Sequence, residues 1–88
     1  MEHLPGGDLV EAGLRDLAAG VESVPALLVS IGAPRLRQLG FAVSNPQPNP
    51  ELRLYERLAR DNADAAHSRY NALVRRLVSF ERAAACAS

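Results

Sequence analysis

The 88 residues leave room for one domain with one core, and ten acidic residues balance ten arginines to a formal net charge of zero. This balance excludes a global electrostatic attraction to nucleic acid or to an anionic membrane. Leu and Ala dominate the apolar residues, while Thr and Trp are absent and Ile occurs once, so the composition favours helices over strands.

The N-terminal segment contains the adjacent glycines Gly6 and Gly7, and residues 1–7 are predicted to form a flexible end. Asp8 and Glu11 have the spacing of a capping box, in which each side chain accepts a hydrogen bond from the other residue's backbone N–H. A first helix is therefore expected to begin at this point.

This first helix shows apolar residues four, three and four positions apart, and Gly20 supplies a residue that commonly ends helices. The stripe consists of Val10, Leu14, Leu17 and Val21. Gly13 lies inside the helix, where it costs roughly 1 kcal/mol relative to Ala. A glycine at this position would be explained if another helix packs closely against it.

A second helix is predicted to start at Ser23, which is a good cap, with Pro25 in the first turn where its missing N–H costs nothing. The stretch Gly32-Ala33-Pro34 is expected to end it, and a short third helix is expected over residues 35–39. Phe41 follows as a predicted core residue.

These two helices also have the outline of a DNA-binding helix-turn-helix, with Arg35 and Arg37 on the second one. The match is poor, because Leu28 stands where a small residue usually permits close packing and Pro34 shortens the recognition helix. A plain helix pair is the preferred interpretation.

Residues 44–50 contain three prolines at alternate positions, and they are predicted to form a stiff, extended connector between two halves of the domain. Asn49-Pro50-Glu51 is the clearest helix start in the chain, with a cap, a proline in the first position and an acid at the positive end of the dipole. The fourth helix is expected to be broadly apolar.

The C-terminal helix, over about residues 63–85, is the longest predicted element. Its apolar residues recur in steps of four and three, which is a heptad-like stripe. The stripe consists of Ala66, Tyr70, Leu73, Leu77, Phe80 and Ala84. Because no other predicted helix matches its length of roughly 35 Å, we expect a second subunit to cover it.

His67, Tyr70 and Asn71 form the most polar part of this helix, and one turn separates His67 from Asn71. A buried or interfacial polar cluster is the preferred interpretation, with a ligand site or a general base as alternatives. Asp64 and His67 resemble half of a metal site, but the further ligands that a metal needs are missing, so no metal is predicted.

The arginines offer possible anion contacts. Residues 67–88 hold four Arg and one Glu, a local charge of +3, and such a face can follow phosphates or simply be solvated. The candidates for nucleic-acid contacts are Arg35, Arg37, Arg69 and Arg76.

The single cysteine, Cys86, excludes an internal disulfide, and with no signal-like start and no long apolar run the sequence suggests a cytoplasmic protein without a membrane span.

The sequence thus predicts a bundle of four to five helices that forms a homodimer or higher oligomer along its long C-terminal helix. We expect a non-enzymatic interaction and assembly module that offers a helical groove to a protein partner, without a cofactor. The alternative is a small nucleic-acid-binding regulator or antitoxin-like protein that uses its Arg-bearing faces. An enzyme would need His67, Tyr70 and Asn71 to line an accessible pocket.

Overall fold

The computed structural model describes residues 4–87, and these residues form five α-helices and no strand. The all-α prediction is confirmed. The helices are α1 (Gly7–Ala18), α2 (Val24–Ile31), α3 (Ala33–Gln38), α4 (Pro50–Asp61) and α5 (Ala66–Ala87).

Helix α2 is the centre of the fold, since it contacts each of the other four helices. Its residues 26–30 are buried in succession, so the helix is enclosed on all sides rather than on one face. The predicted cap is confirmed, because the Ser23 Oγ accepts a hydrogen bond of 3.1 Å from the N–H of Ala26, and Pro25 lies in the first turn.

Gly13 allows α1 to lie directly against α2, which confirms the expected close approach. A Cβ added at Gly13 would collide with the carbonyl oxygen of Pro25 and the Cγ2 of Val29, and would lie 2.8 Å from the carbonyl carbon of Pro25. Backbone atoms cannot yield in the way a flexible side chain can, so only glycine fits at this crossing.

The start of α1 differs from the prediction. The helix begins at Gly7 behind a left-handed Gly6 (φ 75°), and no side chain caps it, so the predicted capping box of Asp8 and Glu11 is wrong. Asp8 instead accepts a hydrogen bond of 3.1 Å from Arg76 on α5, an ion pair that sequence spacing does not reveal.

Residues 4–7 are also more ordered than the predicted flexible end. Leu4 packs on the core, its carbonyl accepts a hydrogen bond of 3.0 Å from the Gly7 N–H, and Gly7 is buried within α1. The remainder of that predicted end, residues 1–3, lies outside the described part of the chain.

Residues 44–49 contain no helix or strand, but they are not continuously extended as predicted, because Asn45 (φ 51°) and Asn49 both have left-handed backbones. One buried hydroxyl ties this connector to the core. The Ser30 Oγ donates to the Ala26 carbonyl at 2.8 Å and accepts from the Gln47 N–H at 2.9 Å. Helix α4 then begins at Pro50 as predicted, although the Asn49 side chain makes no capping bond and its backbone is left-handed (φ 48°).

Helix α3 starts two residues before the predicted Arg35, because Pro34 lies in its first turn instead of ending α2. The expected core residue Phe41 is partly buried, and its ring lies 5.4 Å from that of Phe80.

Helix α5 begins at Ala66, three residues later than predicted, because the Asn62 Oδ1 accepts the N–H groups of Asp64 and Ala65 and holds them in a turn. Its far end is Ala87 instead of residue 85.

The apolar stripe of α5 is buried inside its own chain. Ala66, Leu77, Phe80 and Ala84 are buried, and Tyr70 and Leu73 are partly buried against the core. Helices α1, α2 and α4 each contact α5. Together these shorter helices cover the apolar stripe, although no single one of them is long enough to cover it alone. The buried members of the stripe are therefore part of this chain's own core and are not free to form the predicted subunit interface, whereas Tyr70 and Leu73 keep part of their surface exposed.

We expect Gly13→Ala to destabilise the protein by about 1–3 kcal/mol, because the added methyl group overpacks the α1–α2 crossing. Helix propensity alone predicts the opposite sign, a gain of roughly 1 kcal/mol. Urea unfolding followed by circular dichroism distinguishes the two, and a more stable variant would contradict the close crossing.

We expect Ser30→Ala to lower the free energy of unfolding by about 1–3 kcal/mol, because it leaves the Gln47 N–H without its acceptor. Ser79→Ala, at an exposed position of α5, serves as the matched control and should change stability little. Equal effects of the two substitutions in urea unfolding would show that the Ser30 hydroxyl does not anchor the connector.

Candidate functional site

Two exposed apolar side chains lie one turn apart on α4. Leu52 is 62% exposed and Tyr55 is 38% exposed, and the only other large hydrophobic residue exposed within residues 4–87 is Val21. The Tyr55 ring lies 5.8 Å from the ring of Tyr70 on α5, in a tilted arrangement. We call Leu52, Tyr55 and Tyr70 the hairpin patch, because α4 and α5 follow each other through a short turn.

The other sides of α4 fix the direction in which the hairpin patch faces. Leu54 and Leu58 are buried, and because they lie four residues apart they define the core-facing side of the helix. Arg53 and Arg57 form ion pairs with Glu22, which stands directly before the cap of α2, the second at 3.4 Å. One side of α4 therefore packs on the core and a second side pairs with Glu22, so Leu52 lies on a side that faces solvent.

The phenol of Tyr70 is partly removed from water and lies near the negative charge of Glu51. Burial raises the pKa of the Tyr70 phenol above its ordinary value, and the negative charge of Glu51 raises it further. Both causes disfavour the phenolate, so the ring remains a neutral, apolar contact surface over the physiological pH range.

The predicted polar cluster is only partly brought together. The Asn71 Nδ2 lies 3.2 Å from the His67 Nε2, whereas Tyr70 packs against Tyr55. His67 is exposed, so of the predicted buried or interfacial cluster the buried form is wrong. Nothing in this arrangement brings a nucleophile to the imidazole, and within the described residues no three His, Cys, Asp or Glu side chains are grouped to hold a metal.

The four arginines predicted to contact nucleic acid all have internal partners. Arg69 pairs with Asp61 at 2.9 Å and Arg76 with Asp8 at 3.1 Å. Arg37 donates to the Val43 carbonyl at 2.9 Å, and Arg35 donates to the Gln38 Oε1 at 3.4 Å. Arg37, Arg69 and Arg76 therefore join segments of the chain, whereas the Arg35 bond stays within α3.

The positive charge of Arg35 on α3 also influences the pKa of Glu81 on α5. The carboxylate of Glu81 lies close to Gly32, at the junction of α2 and α3, and its burial raises the pKa of Glu81 while the positive charge of Arg35 opposes that rise. Helix α2 is packed against α5, and α3 has only six residues. Such a short helix does not fit the role of a recognition helix for a DNA groove.

The hairpin patch was not singled out by sequence analysis, although a signal for it exists. Leu54 and Leu58 alone give α4 an adequate core-facing side, so the additional apolar residues Leu52 and Tyr55 exceed what burial requires. Which of the two apolar sides faces the core is decided by the neighbours of the helix, and these are not visible in its local sequence.

Comparison with known proteins adds no functional information: no family model matches the chain, and no significant match is found among curated proteins or solved structures. No described helix is both long enough and apolar enough to cross a membrane.

We expect the phenol of Tyr70 to titrate above the ordinary value near 10. Tyr55→Phe leaves Tyr70 as the only tyrosine, so the phenolate absorbance of this variant reports Tyr70 alone. Adding Glu51→Gln should lower the midpoint part of the way, because it removes the second cause of the shift. Since the folded pKa exceeds the unfolded one, stability should fall as the pH rises through this range.

A midpoint at or below the ordinary value in the folded Tyr55→Phe protein would show that Tyr70 is more solvated than the hairpin patch requires.

Proposed function

We propose that this protein is a non-enzymatic helical interaction module that self-associates through the hairpin patch. The observation that supports the proposal is the exposure of Leu52 and Tyr55 on one turn of α4, with Tyr70 beside them. Exposed large apolar side chains that are grouped rather than scattered are typical of interaction sites, and tyrosine is enriched among the residues that dominate binding energy.

A second copy of this chain is the proposed partner. A two-fold symmetric contact places the same patch on both sides of the interface, so Leu52 and Tyr55 of each subunit meet apolar surface in the other. A domain of 88 residues buries a limited share of its surface on folding, and association adds apolar burial that its own core does not supply.

The size of the patch argues for weak, reversible association. Fully burying a Leu-sized side chain contributes about 1.5–3 kcal/mol, and the exposed fractions of Leu52 (62%) and Tyr55 (38%) on two subunits amount to about two such side chains, or roughly 3–6 kcal/mol. Because the loss of translational and rotational freedom costs at least about 4 kcal/mol, this burial supports dissociation constants in the millimolar range or weaker. The module is thus suited to transient contacts or to assemblies in which it is present at high local concentration.

The nucleic-acid alternative has less support, because Arg35, Arg37, Arg69 and Arg76 are already bound within the chain. A version of it that uses other arginines predicts tight binding to a short DNA duplex.

We expect the wild-type protein to show concentration-dependent mass in sedimentation equilibrium up to about 1 mM. Leu52→Glu should make it monomeric throughout, because the new charge cannot be buried in an apolar contact without a partner. Val21→Glu is the matched control, since Val21 is 48% exposed, lies outside the hairpin patch and receives the same charge. Circular dichroism establishes that both variants are folded.

A wild-type chain that stays monomeric at that concentration would contradict self-association. Equal loss of association in both variants would place the contact away from the hairpin patch.

A further inference from the structure

Helix α5 carries a second stripe with the same spacing as its buried one. Positions four, three, four, three and four apart are all exposed, and they lie on the side of the helix opposite the core. We call them the outward stripe, which consists of Ser68, Ala72, Arg75, Ser79, Arg82 and Cys86.

The charge of the outward stripe is purely positive. Arg75 and Arg82 take part in no ion pair within residues 4–87, and the stripe contains no acid. The one acid of α5, Glu81, is half-buried and lies beside Gly32 on the inner side of the helix. The two guanidinium groups are therefore free to meet carboxylates from outside the chain.

We propose that the outward stripe binds a helix of a different protein that carries carboxylates seven residues apart. Arg75 and Arg82 are seven residues apart, or about 10.5 Å along the axis. Two helices that pack side by side repeat their contacts at this interval, so acids at heptad spacing on a partner meet both arginines at once. Each guanidinium can then bind a carboxylate through two parallel hydrogen bonds.

The remaining residues of the stripe are compatible with such packing. Ala72, Ser79 and Cys86 are also seven residues apart, and their short side chains alternate with the arginines. A neighbouring helix can approach there without displacing the long arginine side chains.

The number of free cations favours an acidic helix over the phosphates of a nucleic acid. Proteins that follow a phosphate backbone commonly neutralise six or more phosphates, whereas the stripe offers two unpaired cations.

A second copy of this chain does not carry the required pattern. Its ten acids include no two that are seven residues apart. The proposed partner is therefore another protein, and its binding site is separate from the hairpin patch that serves self-association.

The experiment uses fluorescence anisotropy with a labelled, alanine-rich helical peptide whose glutamates are seven residues apart, at low salt. We expect Arg75→Gln with Arg82→Gln to weaken binding roughly tenfold, because two exposed charge pairs are lost. Arg15→Gln with Arg60→Gln is the matched control: both residues are exposed and unpaired within residues 4–87, and the change in net charge is the same. This control should bind the peptide like the wild type.

Two further probes test specificity. A peptide of the same composition with glutamates five residues apart presents them on different faces and should bind clearly more weakly. A short DNA duplex should bind no better than the heptad peptide. The proposal is overturned if both double variants lose binding equally, if the two peptides bind alike, or if the duplex binds more tightly.

The Leu52→Glu protein separates the two proposals. Peptide binding retained in this variant supports an independent outward stripe, whatever the outcome for self-association, whereas peptide binding lost in it would place the acidic helix on the hairpin patch instead.

Discussion

The close crossing of α1 over α2 at Gly13 is the contact on which the rest of the fold depends. Without a side chain at this position, the backbone of α1 rests on Pro25 and Val29 and encloses α2 from one side. Helix α4 encloses it from another, held by the pairing of Arg53 and Arg57 with Glu22. A short helix of eight residues thereby becomes the centre of the core, since five consecutive residues of it are buried and not one face only.

This central position of α2 determines which surfaces remain free. The long helix α5 packs its apolar stripe across α1, α2 and α4, which buries most of the stripe within the chain. Two faces are left over: the side of α4 with Leu52 and Tyr55, and the outward stripe of α5. One is apolar and the other is basic, so the proposed self-association and the proposed binding of an acidic helix would use separate surfaces.

The charged residues mostly join segments of the chain to each other. Glu22, Asp8 and Asp61 each bind an arginine from a later helix, although exposed pairs of this kind contribute little stability individually. Their larger consequence is on recognition, because Asp61 and Asp8 occupy Arg69 and Arg76, two of the arginines predicted to bind phosphate. Arg75 and Arg82 lie on another face of the same helix and take part in no ion pair within residues 4–87.

The sequence by itself determined the helical class, the starts of α2 and α4 and the close approach at Gly13, because these follow from local propensity, from the Ser23 cap, from Pro50 and from the cost of an interior glycine. The tertiary structure decided what each face contacts. The heptad-like stripe of α5 has the same spacing whether a second subunit or three short helices cover it, so its burial within the chain could not be read from periodicity. Likewise, Asp8 has the spacing of a cap but binds Arg76, and α4 has two apolar sides of which the core uses one. In each case the deciding neighbour lies far away along the chain, and only the packing around α2 brings it into contact.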